Sequence, residues 1–212
     1  MAWDCFVFDF DGTMANTGDG VTASVSYALK KMNYPALNER QLRSFIGPSL
    51  YSSFTATCKM SDSEAIEAID RYREFYMREG VYRCHLYDGL EKLLTKLSSL
   101  GKISVASAKP QPQLNVAVAH LGVDKIVDLV IGADPTVKSN DKADLLIRAN
   151  LGKNAVMIGD SIYDIRAAKQ VGVASIAVSY GFTSADELKK ENPDFLASSV
   201  AELEQILIEN CK

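Results

Sequence analysis

Cys5-Phe6-Val7-Phe8-Asp9-Phe10-Asp11-Gly12-Thr13 is the stretch on which the fold turns. An unbroken apolar run stops at two aspartates, a glycine and a threonine. The run is short and rich in strand-favouring residues, so it reads as a buried strand. Alternation along a strand puts Asp9 and Asp11 on one side and Phe6, Phe8 and Phe10 on the other. In open α/β sheets, ligands gather beyond the carboxyl ends of the strands. This strand delivers two carboxylates to that edge. Gly12 permits close backbone approach, and Thr13 brings a hydroxyl. An Asp-Gly turn without chemistry looks the same in isolation, so the remaining chain decides.

Downstream, Val21, Val25, Leu29 and Met32 recur at helical spacing until Pro35. Leu42, Phe45 and Ile46 mark a second helix before Gly47-Pro48, and Leu50, Phe54 and Thr57 a third. Ser61-Asp62-Ser63-Glu64 is a capping-box pattern ahead of Ile66, Ile69, Tyr72, Phe75 and Tyr76. No strand is predicted between residues 15 and 83. From Asp88 onward strand and helix alternate. Leu90, Leu93, Leu94 and Leu97 predict a helix with Gly101 as its C-terminal cap. Strands are predicted at 103–107, 129–132, 155–158 and 174–178, and helices between them. Capping boxes are read at Ser184–Glu187 and Ser199–Glu202. Alternation of this kind predicts an α/β class, a parallel sheet with helices on both faces. The first strand needs sheet partners. Residues 1–14 and 84–212 are therefore expected to form one core, with an all-helical block at 15–83 inserted above Asp9 and Asp11 as a lid.

Composition bounds the partners. The chain has 212 residues, 47% hydrophobic and 24% charged, as in ordinary globular proteins. A net charge of -4 gives no bulk attraction for nucleic acid. Cys5, Cys58, Cys84 and Cys211 are scattered without metal-ligand spacing, which predicts a reduced, cytoplasmic compartment. No secretory leader and no apolar run of membrane length is read, so no membrane partner is expected. Oligomeric state has no signature here.

Other strand ends carry polar residues that a parallel sheet would bring to the same crevice. Ser107 closes one strand. Asp160 closes another, in Gly159-Asp160-Ser161-Ile162-Tyr163-Asp164. A lysine near the next helix start, Lys142 or Lys138, faces that side. Taken alone, Asp160 reads as a helix N-cap, Ser107 as a turn residue and Lys142 as a solvated lysine. Together they suit phosphoryl transfer through an aspartate. A carboxylate can attack phosphorus, and Mg²⁺ bound by Asp9, Asp160 and the Asp11 carbonyl would offset the repulsion between two anions. Lys142 and Ser107 would hold phosphoryl oxygens. Asp11 would protonate the leaving oxygen and then activate water. Asp164 would ligate the metal, directly or through water, or steady Asp160. His85 and His120 read as structural.

The ordered set resembles the haloacid dehalogenase superfamily, mostly Mg²⁺-dependent phosphatases, across essentially the whole chain. Phe45-Ile46-Gly47-Pro48 and Ala108-Lys109-Pro110 look like its phosphoglycolate phosphatase branch. The resemblance implies a Rossmann-like core with a helical cap and hydrolysis of a small phosphorylated metabolite through an aspartyl-phosphate. It implies phosphate contacts from Gly12, Ser107, Ala108 and Lys142, and metal contacts from Asp9, Asp11 and Asp160. Arg43 and Lys109 are candidates for substrate specificity. Within the family, Asp11 argues against dehalogenases, which replace it. Val21 stands where sugar phosphomutases carry a cap-hinge histidine. Asn16-Thr17 departs from the branch's Asp-Ser. Pyrophosphate, nucleotides and sugar phosphates stay open as substrates. A phospho-accepting signalling module is the other class, which the presence of Asp11 disfavours.

Overall fold

The opening stretch forms β1 (Cys5–Phe8), buried along its whole length. The computed structural model describes residues 2–134, 136, 141–152 and 154–211. After β1 come β2 (Ala15–Asn16) and four helices, α1 (Gly18–Lys31), α2 (Glu39–Arg43), α3 (Leu50–Cys58) and α4 (Asp62–Arg78). Then follow β3 (His85–Leu86), α5 (Leu90–Leu97), β4 (Lys102–Pro110), α6 (Gln111–His120), β5 (Leu129–Ala133) and α7 (Lys142–Arg148). The chain closes with β6 (Ala155–Gly159), α8 (Ile162–Val171), β7 (Ala174–Val178), α9 (Ala185–Lys190), β8 (Phe195–Ala197) and α10 (Val200–Asn210). Two units result: Met1–Asn16 with His85–Lys212, and Thr17–Cys84.

The larger unit is a six-stranded sheet in the order β5-β4-β1-β6-β7-β8, every neighbouring pair parallel. Cys5 pairs with Lys102 on one side and with Ala155 on the other. A central parallel strand is covered on both faces, which explains the unbroken apolar run. Cys5 and Val7 join a core cluster with Leu145 and Leu146 of α7 and Ala167 and Ala168 of α8. Phe6 and Phe8, fully buried, take the opposite face. From β1 the chain steps through β4 to β5, then crosses to β6, β7 and β8. The direction of travel reverses between β1 and β6, so the crevice beyond their carboxyl ends is a topological switch point.

The smaller unit is helical. α1 and α4 are its main packed pair, with Tyr27 stacked on Phe75 at 4.9 Å. Phe45 meets Phe54 edge-on at 4.9 Å. Ser61 and Glu64 form the reciprocal capping box read from the sequence.

Several local expectations are corrected. Ala15 and Asn16, expected to be a polar connector at the start of the helical block, pair antiparallel with Leu86 and His85 in a two-stranded ladder, too short to leave a periodicity. Strand β8, only three residues long, escaped the pattern for the same reason. Ser184 and Ser199 cap their helices, but neither makes the reciprocal box: Glu202 bonds instead to the N–H of Ser198. Ser98, not Gly101, is the C-cap of α5. Gly101 is there for room. A Cβ on it would stand 2.2 Å from the Asp4 carbonyl oxygen, where the segment entering β1 passes. Among the described residues no helix is long and apolar enough to cross a membrane.

The Gly101 contact gives a direct test. Gly101→Ala forces the β1 entry aside and is expected to cost about 1–3 kcal/mol, as overpacking does. In a thermal melt, each kcal/mol reads as roughly 2–4 °C of Tm for a chain of this size. A variant melting with the wild type would mean that the Asp4 backbone yields freely.

Candidate active site

Asp9 follows β1 directly, and its N–H continues the ladder to Ile158 O at 2.8 Å. The chain then turns tightly: Met14 and Ala15 both donate to Phe10 O at 3.0 Å, and Gly12 N donates to Ala15 O at 2.9 Å. Gly12 sits at φ +83°, and a Cβ there would come 2.2 Å from Asp160 Oδ2. Because its N–H is committed to Ala15, what Gly12 supplies is space for Asp160.

β6 delivers Asp160 beside that turn. Asp160 is not the helix cap that it resembles alone; Ser161 caps α8, and Asp164 returns the bond in a capping box. Asp160 instead accepts from Phe182 N at 2.7 Å and, weakly, from the Thr13 hydroxyl at 3.4 Å. Asp164 Oδ2 accepts from Ser161 N at 3.0 Å and Ser161 Oγ at 2.6 Å. Lys142, the first residue of α7, is buried rather than solvated. Its Nζ lies 2.8 Å from Asp9 Oδ1 and 2.9 Å from Asp164 Oδ1, and donates to Ala106 O at 3.0 Å.

Asp9, Asp160 and Asp164 each offer an oxygen within 4.8 Å of the others, and all three are buried. Three carboxylates facing one ammonium leave two negative charges uncompensated if all ionise. Burial accordingly pushes Asp9 up to about 6, against the pull of Lys142. Burial and the Asp9 charge push Asp160 up to about 8, against the Phe182 N–H. Burial acts to discharge Lys142, but Asp164 and Asp9 outweigh it and hold the ammonium well above the ordinary lysine range. Asp164 Oδ1 is buried with an ion pair but no hydrogen bond of its own. Excess negative charge, hard oxygen donors and a buried oxygen short of partners fit a divalent cation such as Mg²⁺. Asp164 thus belongs among the candidate ligands by position, whereas the sequence left its role open.

The Asp11 carboxylate stands apart from this cluster. Lys109 Nζ, itself buried, donates to Asp11 Oδ1 at 2.8 Å and Oδ2 at 3.0 Å. Ser107 is buried next to Ala106, and its hydroxyl accepts from Lys109 N at 3.3 Å. Ala108 is exposed. Arg43 belongs to the helical unit, where it pairs with Glu39 at 3.1 Å on an exposed face. Lys138 lies outside the described residues. Sequence reasoning missed Tyr180, Gly181 and Phe182, which contact the Asp9–Thr13 turn and Asp160; a glycine just past a strand end was the one available signal.

The family model described as haloacid dehalogenase-like hydrolase matches residues 6–178. A 5'-nucleotidase from Pseudomonas aeruginosa is 31% identical over 95% of this chain and 94% of its own. A phosphoglycolate phosphatase from Vibrio parahaemolyticus is 29% identical, covering 94% of each. Among solved structures, one described as a predicted phosphatase from Clostridium acetobutylicum superposes with a TM-score of 0.89 at 32% identity, over 99% of this chain and 100% of that one.

The raised carboxylates make stability depend on pH. Both bind protons more tightly folded than unfolded, so their contribution is fully present below the unfolded carboxylate value and fades as pH rises toward the folded ones. Metal-free protein is expected to lose Tm from about pH 4 toward about pH 8, Asp9 titrating first at about 6 and Asp160 at about 8. The gain in Tm on adding Mg²⁺ should grow over the same window. Melts in chelator and in Mg²⁺ across the range check this; a gain independent of pH would contradict it.

Proposed function

The chain belongs to the haloacid dehalogenase-like hydrolases, a phosphatase among them, and on that footing we propose that it is a Mg²⁺-dependent phosphomonoesterase working through an aspartyl-phosphate. The observation that carries this reading is the buried cluster of Asp9, Asp160 and Asp164, with Lys142 paired to Asp9 and Asp164, and Asp11 held separately by Lys109.

Asp9 is the nucleophile. One of its oxygens attacks phosphorus in line with the ester oxygen, forming a P–O bond to the carboxylate as the bond to the leaving alcohol breaks. Asp11 gives its proton to that leaving oxygen. It then takes a proton from water, whose oxygen attacks phosphorus and releases phosphate, restoring Asp9. Lys142 orients Asp9 beforehand and, with the Ser107 hydroxyl, holds the phosphoryl oxygens as charge shifts among them. Asp9, Asp160 and the Asp11 carbonyl would hold the metal, with Asp164 beside them; once bound it supplies charge neutralisation between carboxylate and phosphate. The helical unit Thr17–Cys84 would serve as the cap of this reading.

The substrate class is a small phosphorylated metabolite. The names carried by the relatives support two candidates, a nucleoside monophosphate and phosphoglycolate. Sugar phosphates complete the panel, to be ranked by kcat/KM.

The chemistry is tested by substitution. With aryl phosphate and Mg²⁺, Asp9→Asn is expected to reduce kcat to background. Asp11→Asn should lose about 10²–10⁴-fold, the usual worth of a positioned acid–base group, and the loss should be greater with an alkyl phosphate, whose leaving group needs the proton more. Turnover that survives Asp9→Asn, or is indifferent to chelation of the metal, rejects the mechanism.

A further inference from the structure

Strand β7 lies beside β6, so the chain leaving β7 runs alongside the turn that carries Asp160. Ser179 N donates to Ala197 O at 2.9 Å and fixes where this segment starts. The next three residues each grip the other side of the crevice. Tyr180 Oη donates to Thr13 O at 3.1 Å. Its ring meets Tyr87 edge-on at 4.8 Å, and Tyr87 N in turn donates to Met14 O at 3.2 Å. Gly181 comes so close that a Cβ would stand 2.3 Å from Gly12 O and 2.4 Å from Asp160 Cβ. Phe182 N donates to Asp160 Oδ2 at 2.7 Å, while its ring occupies the place where a Cβ on Gly12 would meet it at 2.7 Å.

We propose that Tyr180-Gly181-Phe182 is a positioning strap for the metal site, fixing the Asp160 carboxylate and the Gly12 turn in the arrangement that Mg²⁺ requires. The proposal rests on the Mg²⁺ reading above. Mg²⁺ demands near-ideal octahedral geometry and tolerates misplaced ligands poorly. A main-chain N–H on one carboxylate oxygen fixes the rotation of the group, and a backbone donor cannot swing away as a side chain can. Gly181 is the hinge of the arrangement: only without a side chain can the strap lie against Gly12 and Asp160 together. None of the three residues needs to touch metal or substrate. Partners that orient ligands typically account for about 10–100-fold in metal affinity.

The experiment is calorimetric titration of Mg²⁺ into the full chain stripped of metal, for the wild type, Gly181→Ala, Phe182→Pro and Tyr180→Phe. Circular dichroism and metal-free Tm accompany each. Phe182→Pro removes the N–H donated to Asp160, and Gly181→Ala wedges the strap outward. Both are expected to weaken Mg²⁺ binding by about 10–100-fold, with kcat on aryl phosphate recovering at saturating Mg²⁺. Tyr180→Phe, which loses only the hydroxyl, should weaken it less. Folded variants that bind Mg²⁺ within about twofold of the wild type overturn the proposal. Should the first two not fold, an unchanged affinity in Tyr180→Phe overturns it alone. A wild type that takes up no Mg²⁺ overturns the metal reading itself, and the strap with it.

Discussion

Lys142 Nζ is 2.8 Å from Asp9, 2.9 Å from Asp164 and 3.0 Å from the Ala106 carbonyl oxygen. That contact ties together β1, α8, β4 and α7, the elements on either side of the switch point. Removing a buried partner of this kind typically costs about 3–5 kcal/mol, because the charges left behind stay buried. The ammonium does not balance the site, however. It is one charge against three carboxylates, and burial, with the neighbouring negative charges added, holds Asp9 and Asp160 above the ordinary carboxylate range. The fold thus holds together a constellation that remains electrostatically incomplete, as a candidate cation site would be.

A second separation follows from how the lysines are distributed. Lys142 serves the cluster that would hold metal and attack phosphorus, and Lys109 serves Asp11. Two carboxylates only two residues apart are given different partners, one from the start of α7 and one from the end of β4. Asp9 emerges from β1 straight into the cluster. Asp11 sits one turn later, facing the end of β4. The Phe10 turn, closed by Met14 and Ala15, makes that divergence possible within so short a stretch.

The sheet and the site centre were legible in the sequence because they depend on patterns with strong local signatures. An apolar run too short for a helix gave β1, and polar residues at strand ends gave Asp9 and Asp160, whereas Ser107, read as closing a strand, lies inside β4. What stayed hidden depends on contacts between distant segments. Gly101 looks like a helix cap until Asp4 is seen against it. Asp160 looks like a cap until Ser161 is found in that role. The Lys109–Asp11 pair joins residues far apart in the chain, and neither residue type announces the other. Two- and three-residue strands such as β2, β3 and β8 are too brief for any period to register.

The position of β1 has a consequence for how the protein is assembled. It comes first of the sheet's strands in chain order and is one of the two central ones, yet its hydrogen-bonding partners are Lys102–Val105 on one side and Ala155–Ile158 on the other. A growing chain therefore carries this apolar strand without either neighbour through the synthesis of the entire helical unit, while α1 and α4 can already pack locally. The strand bearing Asp9 is closed on its second side only when β6 arrives, and β6 is the strand that brings Asp160. Completion of the sheet centre and the meeting of Asp9 with Asp160 are thus one folding event.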